Sequence, residues 1–521
     1  MSQDVCQWIE THADFAPEKI AVRFEGQEIT YRQLLLQIKT TAAVLKAAYD
    51  IGRGDRIAYL GFNSPELLVL FFACARLGAL LLPLNWRLTR PEQAYILENA
   101  AARILVCDDD HVTIGHQLSE TVPGCKICDH ADIAAVTGGT EGQVDRNPHI
   151  DLTTPLLLVY TSGTTGQPKG AVLTQEAVLF NALNSVHMHD LDVSDHILTV
   201  LPMFHVGGLN IQTTPALYVG ATVTLQRRFE PAMVLSAIRD LRPTRLVLVP
   251  ATIIALAEHP DFKTTDLGSI RSVTTGSTIV QKSVIDIFHD RNVPVIQNYG
   301  LTETGPVALY LRIDNAFSRV GSTGRGALHT RFRIVDEEDR DVPAGRSGEL
   351  LLQGPNVLSE YWGDPAATRE ALQEGWFRTG DIGYCDTDGY VYINDRKKDV
   401  VISGSENIYP AELEHVLDQI EELVEAAVIG MPDSKWGEVP VAVIVLEAGC
   451  DIDNAALLSC FDGVLARFKH PKAVVRVDAL PRNVMGKVLK HELRQMLADG
   501  TLVPEGGDVV PPMSNTTLGV D

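Results

Sequence analysis

Short apolar runs of strand length recur through the first half of the chain, each followed by a stretch able to form a helix. They include Arg56-Ile-Ala-Tyr-Leu, Ala102-Arg-Ile-Leu-Val-Cys, Leu156-Leu-Leu-Val-Tyr, Ile197-Leu-Thr-Val-Leu, Thr222-Val-Thr-Leu and Arg245-Leu-Val-Leu-Val. A strand with one wet face alternates apolar and polar residues, whereas these runs are apolar throughout, as strands buried on both faces are. The pattern predicts an α/β fold whose sheets are covered by helices. After about residue 320 the texture turns polar and glycine-rich, with Arg333-Ile-Val-Asp-Glu-Glu-Asp-Arg, Gly348-Glu-Leu-Leu-Leu-Gln-Gly and Asp386-Thr-Asp-Gly-Tyr-Val-Tyr-Ile. Asp388-Gly389 between β-rich flanks is a hairpin signal, so a small β subdomain is expected there. From Lys398 to about residue 500 a compact α+β segment follows, with a helix at Pro410-Ala-Glu-Leu-Glu-His-Val-Leu and strands near Glu425-Ala-Ala-Val-Ile-Gly and Pro440-Val-Ala-Val-Ile-Val.

A chain of 521 residues, 45% hydrophobic and 21% charged, is long enough for more than one packed core. Its formal charge of −23 argues against nucleic acid or an anionic membrane as a partner and points to small molecules. The stretch Leu67 to Leu82 carries Arg76 and is too interrupted to span a bilayer; it reads as a buried helix and strand. The eight cysteines include one close pair, Cys125 and Cys128, with no second Cys/His pair at ligand spacing, so this pair is read as structural. Reduced thiols and a start without a basic region and apolar run predict a cytoplasmic protein; a homodimer is left open.

Between Tyr160 and Gly170 the chain reads Tyr-Thr-Ser-Gly-Thr-Thr-Gly-Gln-Pro-Lys-Gly. Gly163 and Gly166 allow backbone N–H groups to approach phosphate oxygens, Thr161, Ser162, Thr164 and Thr165 add hydroxyl donors, and Lys169 supplies a positive charge. A Walker A loop ends in Gly-Lys-Ser/Thr, and here Pro168 precedes Lys169 and Gly170 follows it. Alone, such a loop is equally an ordinary Gly/Thr turn.

Other motifs follow in order: Leu201-Pro-Met-Phe-His-Val-Gly-Gly208, Asn298-Tyr-Gly-Leu-Thr-Glu-Thr-Gly305, Gly375-Trp-Phe-Arg-Thr-Gly-Asp381, Asp395-Arg-Lys-Lys-Asp399, Ser403-Gly-Ser-Glu-Asn-Ile-Tyr-Pro410 and Pro481-Arg-Asn-Val-Met-Gly-Lys487. Tyr299 offers an aromatic face to adenine, Thr302 a hydroxyl to phosphate, Glu303 a hard carboxylate suited to Mg²⁺, and Asp381 two acceptor oxygens to a ribose. Taken together and in this order, the motifs resemble those of the adenylate-forming superfamily: the acyl-CoA synthetases, luciferases and peptide-synthetase adenylation domains.

The resemblance covers nearly the whole chain. It implies a large N-terminal domain over residues 1–397 and a small mobile C-terminal domain over 398–505; the tail over 506–521, with Gly506-Gly507, Pro511-Pro512 and a polar finish, is expected to be mobile by its composition. It places ATP or AMP against residues 161–166 of the loop, Lys169, Asn298, Tyr299, Gly300, Thr302, Asp381, Arg396 and Lys487. Metal falls to Glu303, and the acyl pocket to His205, Val206, Gly207, Thr275, Gly276 and Ser277. Lys398 becomes a hinge, and Gly404, Ser405 and Glu406 approach coenzyme A. Catalysis rests on Lys487, Thr302, Glu303 and, as a gate beside the carboxylate, His205. Two positions depart from the family pattern: Met485 stands where a hydroxyl residue is common before Gly-Lys, and Ser405 where glycine is common.

The activity implied is an acyl-CoA ligase using ATP and Mg²⁺, with acyl-AMP as intermediate. A stand-alone adenylation module loading a carrier protein, a luciferase-like oxygenase and a non-catalytic nucleotide-binding scaffold are the competing readings. Val206, Gly207, Gly208, Leu209 and Ile211 are small or apolar and no Arg or Lys falls among them, which disfavours a dicarboxylate. A medium- or long-chain fatty acid is the first expectation, an aryl or arylpropenoic acid the second.

Overall fold

A computed structural model describes residues 4–129, 147–161, 168–276, 280–397, 399–403, 406–433, 436–462, 464–465, 467–483 and 486–505, the side chains of Asp129, Arg396, Glu406, Asn407 and Phe468 excepted. The chain forms two compact units, Met1–Arg333 with Leu351–Thr379 and Thr387–Val391, and Ile334–Leu350 with Gly380–Asp386 and Tyr392–Asp521.

The first unit holds a nine-stranded and a seven-stranded sheet. In the larger one, Val295–Tyr299, Ser272–Thr275, Arg245–Val247, His196–Thr199, Thr222–Leu225 and Ile20–Phe24 lie side by side, all parallel. In the smaller one, Pro155–Thr161, Leu80–Leu84, Arg56–Leu60, Ile104–Cys107 and Lys126–Asp129 are parallel neighbours. Every apolar run singled out in the sequence is one of these strands. Parallel strands need crossover connections, and helices supply them, so both faces are covered and the strands stay apolar.

Local signals set the element ends. Helix Tyr31–Tyr49 begins with a capping box: Thr30 Oγ1 accepts from Gln33 N and Gln33 Oε1 accepts from Thr30 N. The apolar stretch after residue 65 is the buried helix Pro65–Leu77, with Pro65 in its first turn and Gly78 closing it at φ 75°, followed by strand Leu80–Leu84. Arg76 inside this helix is paired with Glu10 at 2.7 Å. Among the described residues no helix is long and apolar enough to cross a membrane.

The amino ends of the central parallel strands are joined by charge. Arg245 is fully buried; its guanidinium contacts Asp195 Oδ1 at 3.2 Å and donates to Ser272 Oγ at 2.9 Å. Arg271 and Thr244 converge on the same Asp195 oxygen at 3.2 and 2.7 Å. With these ends sealed, the carboxyl ends of the strands are where the motif loops leave.

The second unit contains a five-stranded sheet ordered Glu406–Ile408, Val401–Ser403, Gly437–Leu446, Leu423–Asp433, with Ala473–Arg476 parallel to Gly437–Leu446. Period-two alternation along the long hairpin feeds two cores. Ile429, Val441 and Val443 pack with Leu493 and Leu497 of helix Lys490–Ala498, while Val428, Ala442 and Ile444 pack with Leu413 and Leu417 of helix Pro410–Leu417.

His189, buried, and His196, half-buried, are held as neutral rings in the first unit. His189 Nδ1 donates to Ser185 O at 2.9 Å and Nε2 lies 2.8 Å from Thr274 Oγ1; burial pushes its pKa down to about 3. Burial likewise pushes His196 down to about 4. An unfolded histidine takes up its proton near pH 6.5, whereas these rings remain neutral well below it. Their contribution to stability is therefore complete above about pH 6.5 and is lost as pH falls toward about 4. Urea unfolding midpoints measured between pH 7 and 5 are expected to fall steadily, and a flat profile would contradict the neutral assignment.

Candidate active site

The phosphate-type loop is held at its base by antiparallel pairing of Pro155–Thr161 with Lys169–Thr174, Thr161 opposite Lys169. Ser162, Gly163, Thr164, Thr165 and Gly166 lie outside the described residues. The far edge of Lys169–Thr174 pairs with Glu360–Tyr361, placing Tyr361 opposite Ala171. Lys169 Nζ then lies 5.7 Å from the centre of the Tyr361 ring, within cation–π range. On its other side the Tyr361 hydroxyl donates to Glu303 Oε1 at 2.9 Å.

The segment Asn356 to Tyr361 is thus a strap between two motifs. Asn356 Nδ2 donates to Thr304 O at 2.7 Å, Leu358 N to Glu303 O at 2.7 Å, and Ser359 N to Val172 O at 3.0 Å. It fixes the turn Thr302–Thr304, whose three residues are buried, against the edge strand that carries Lys169. Thr161, Lys169, Thr302 and Glu303 are brought together in this way.

Asn298, Tyr299 and Gly300 stand at the carboxyl end of Val295–Tyr299, beside the strand that ends in Thr275 and leads into Gly276. Both glycines are required by close approach. A Cβ on Gly300 would lie 1.7 Å from Pro306 O, and one on Gly276 2.4 Å from Asn298 O. Thr275 Oγ1 and Asn298 Oδ1 are buried polar atoms with no hydrogen-bond partner among the described residues. A bound group would satisfy such atoms. Ser277 lies outside the described residues.

His205 caps the short buried helix Val206–Asn210, its Nδ1 accepting from Gly207 N at 3.0 Å. Its one proton therefore sits on Nε2, and burial pushes its pKa down to about 4, so the ring is neutral near pH 7. Asn210 Nδ2 donates to Gly305 O at 3.1 Å, and Asn181 joins the same two segments, donating to Asn210 O at 2.7 Å and accepting from Val307 N at 2.9 Å. The helix that begins at His205 is thereby fixed to the turn that carries Glu303.

The remaining candidates belong to the second unit. Asp381 is buried on Trp376–Cys385. Nearby, Lys397 N donates to Gly380 O at 2.8 Å and Lys397 Nζ pairs with Glu349 at 3.0 Å. Arg396 ends strand Val391–Arg396 and Glu406 begins Glu406–Ile408; Lys398, Gly404 and Ser405 lie outside the described residues. Lys487 sits in a loop closed on itself. Its N–H donates to Asn483 Oδ1 at 2.9 Å, its carbonyl accepts from Asn483 N at 2.8 Å, and Leu489 N donates to Pro481 O at 2.8 Å. Val484 and Met485 are outside the described residues.

Sequence reasoning missed Tyr361, Asn356 and Asn181. Tyr361 reaches Glu303 across 58 residues of chain, and nothing local to either position signals the contact.

This chain matches the AMP-binding enzyme family over residues 9–362 and the AMP-binding enzyme C-terminal domain over residues 412–487. It is 43% identical to an indoleacetate–CoA ligase of Aromatoleum aromaticum, covering 96% of this chain and 100% of the relative. With a feruloyl-CoA synthase of an Amycolatopsis species it shares 38% identity over 95% and 99% of the two chains. The crystal structure of ATP-bound MatB from Rhodopseudomonas palustris superposes with a TM-score of 0.87 at 32% identity, covering 95% of this chain and 99% of that one. The chain belongs to the AMP-binding enzyme family. It is an AMP-forming acid–CoA ligase.

Glu303 is buried, and the Tyr361 hydroxyl is one of its donors. Tyr361→Phe is expected to lower stability by about 1 kcal/mol, since a buried acceptor loses a hydrogen bond with little change of volume. Chemical denaturation compared with wild type measures this; an unchanged midpoint would mean that the bond contributes nothing.

Proposed function

We propose that the enzyme activates an aromatic carboxylic acid, an arylalkanoic or arylpropenoic acid, by way of its acyl-AMP and transfers the acyl group to coenzyme A. The observation that carries this reading is near-full-length similarity to relatives named for indoleacetate and ferulate. The buried, uncharged run Val206 to Asn210 after His205 supports it, because it supplies apolar surface and no partner for a second substrate charge. The orphaned Thr275 Oγ1 and Asn298 Oδ1 add polar atoms that a ligand N–H or O–H would satisfy.

In the first half-reaction a carboxylate oxygen attacks the α-phosphorus of ATP and pyrophosphate leaves. Lys169 and the loop hydroxyls bind the polyphosphate, Thr302 adds a hydroxyl to the phosphates, Tyr299 stacks on adenine beside Asn298 and Gly300, and Asp381 and Arg396 hold the ribose end. Mg²⁺ suits the donor set: bound with nucleotide it takes one or two protein carboxylates and completes its shell with phosphate oxygens and water. Glu303 is the carboxylate that would hold it, and the ion would neutralise phosphate charge. Lys487 bridges the two approaching anions and stabilises the charge that develops between them. His205, neutral near pH 7, acts by shape at the carboxylate. In the second half-reaction the coenzyme A sulfur attacks the acyl carbon and AMP leaves. Lys398 is the hinge between the two arrangements, and Gly404, Ser405 and Glu406 approach the thiol.

A panel of acids assayed by pyrophosphate release tests the substrate class. Indole-3-acetate and ferulate are expected to exceed straight-chain acids of six to sixteen carbons in kcat/KM by at least about tenfold, the discrimination that a shaped apolar pocket provides. Preference for the straight-chain acids would overturn the aromatic reading and leave the ligase reading intact.

Lys487→Ala is expected to slow acyl-adenylate formation by about 10²–10³-fold, the usual loss on removing one electrostatic stabiliser. Conversion of supplied acyl-AMP and coenzyme A to thioester should persist. Single-turnover rates for the two steps check this, and equal losses would remove the assignment.

A further inference from the structure

Helix Lys490–Ala498 begins three residues after Lys487 and is anchored to the sheet of the second unit by Leu493 and Leu497. Its Lys490 and Arg494 are one turn apart and share a helix face. Lys490 Nζ lies 2.8 Å from Glu414 Oε1 and 3.8 Å from Asp395 Oδ2, and Arg494 Nη2 lies 2.8 Å from Asp399 Oδ1. The Lys490 side chain is 14% exposed and that of Asp395 7%. Burial works against the Lys490 ammonium, but Glu414, Asp395 and Asp399 outweigh it and hold its pKa above the ordinary value. The carboxylates are fixed in turn: Asp395 Oδ2 accepts from Ala411 N at 3.1 Å and Glu414 Oε1 from Val428 N at 2.7 Å. Asp395 and Asp399 bracket Arg396, Lys397 and Lys398.

We propose that Lys490 and Arg494 are positioning residues that tie the helix after the Lys487 loop to Asp395 and Asp399 and thereby set where that loop stands within the unit. The inference rests on the reading of Lys487 as the lysine of the first half-reaction. The loop closes on itself through Asn483 and Pro481, which fixes its shape; its leading end is tied to Glu425 by Arg482 and by Leu480 N at 3.2 Å, its trailing end is placed by the helix that follows, and that helix is tied by charge to the residues beside the hinge. An isolated surface pair would have little effect. Removing one partner of a pair this well covered leaves a charge poorly compensated, so the geometry is held strongly.

The test compares Lys490→Met, Lys490→Arg and Arg494→Gln in the full chain with wild type and Lys487→Ala. Single-turnover adenylate formation, thiolysis of supplied acyl-AMP, and hydrogen exchange of the amides of Gly486, Lys487 and Leu489 are measured. Lys490→Met is expected to slow adenylate formation by about 10- to 100-fold, as small misplacements of a catalytic group do. Thiolysis should stay within about twofold and loop exchange should rise, while the strand Gly437–Leu446 remains protected. Lys490→Arg should restore most of the rate, and Arg494→Gln should show the same pattern more weakly, its pair being more exposed. Exchange rising equally in loop and strand, or adenylate formation at the wild-type rate in folded Lys490→Met and Arg494→Gln, would overturn the proposal. Should Lys487→Ala leave adenylation intact, the reading of Lys487 fails, whereas loop exchange in Lys490→Met still decides whether the tie exists.

Discussion

Parallel pairing of strands is the constraint on which the rest of the first unit depends. Because neighbouring parallel strands point the same way, their carboxyl ends fall on one edge of the sheet, and loops that leave there are neighbours whatever their distance in sequence. The loop to His205 follows His196–Thr199, Gly276 follows Ser272–Thr275, and the turn with Thr302 and Glu303 follows Val295–Tyr299. The opposite edge is closed by the buried Arg245–Asp195 pair and the hydrogen bonds around it. A charge cluster of that kind is structural; the chemistry is assigned to the other end.

Parallel order alone does not join the two sheets of this unit. The strap from Asn356 to Tyr361 is one link, giving hydrogen bonds to the Thr302–Thr304 turn of one sheet and an added strand to the edge of the other, and Asn63, bonded to Leu201 O, Gln226 O and Met203 N, is another. At Tyr361 the two meet with the Lys169 ammonium over its ring and the Glu303 carboxylate on its hydroxyl. A phenol suits this place because its face attracts a cation while its O–H satisfies an anion. The one side chain therefore contacts a cation and an anion, each from a different motif.

The legible part of the fold was the part written in local periodicity. Arg56–Leu60 and Thr222–Leu225 are strands at the bounds their apolar runs suggest, and Leu67 to Leu82 divides into a helix and a strand at Gly78. The motif residues were legible because each motif is contiguous. Tyr361, Asn181 and Lys490 were not, since each acts on residues far away in sequence and sits in a stretch whose own pattern is ordinary. The acid was legible only by charge. Small and apolar residues after His205 disfavour a second carboxylate, but they do not separate a fatty chain from an aromatic ring, because both are uncharged volumes and pocket shape is a property of packing. The fatty acid favoured on that ground gives way to an aromatic acid once relatives are weighed.

Two lysines three residues apart show how an acidic chain of net charge −23 places its positive charge. Lys490 is surrounded by Glu414, Asp395 and Asp399, so its charge is spent on holding helix to strand and little field remains for a substrate. Lys487 is carried by a loop whose main chain is ordered by Asn483. A charge meant to stabilise a transition state must be fixed in position yet not already neutralised. Under the reading proposed for Lys487 the two requirements fall to neighbouring residues: Lys490 supplies position through its own neutralisation, and Lys487 supplies the charge at the reacting anions. In the first unit, likewise, Arg245 is neutralised within the fold, whereas Lys169 lies over the aromatic face of Tyr361.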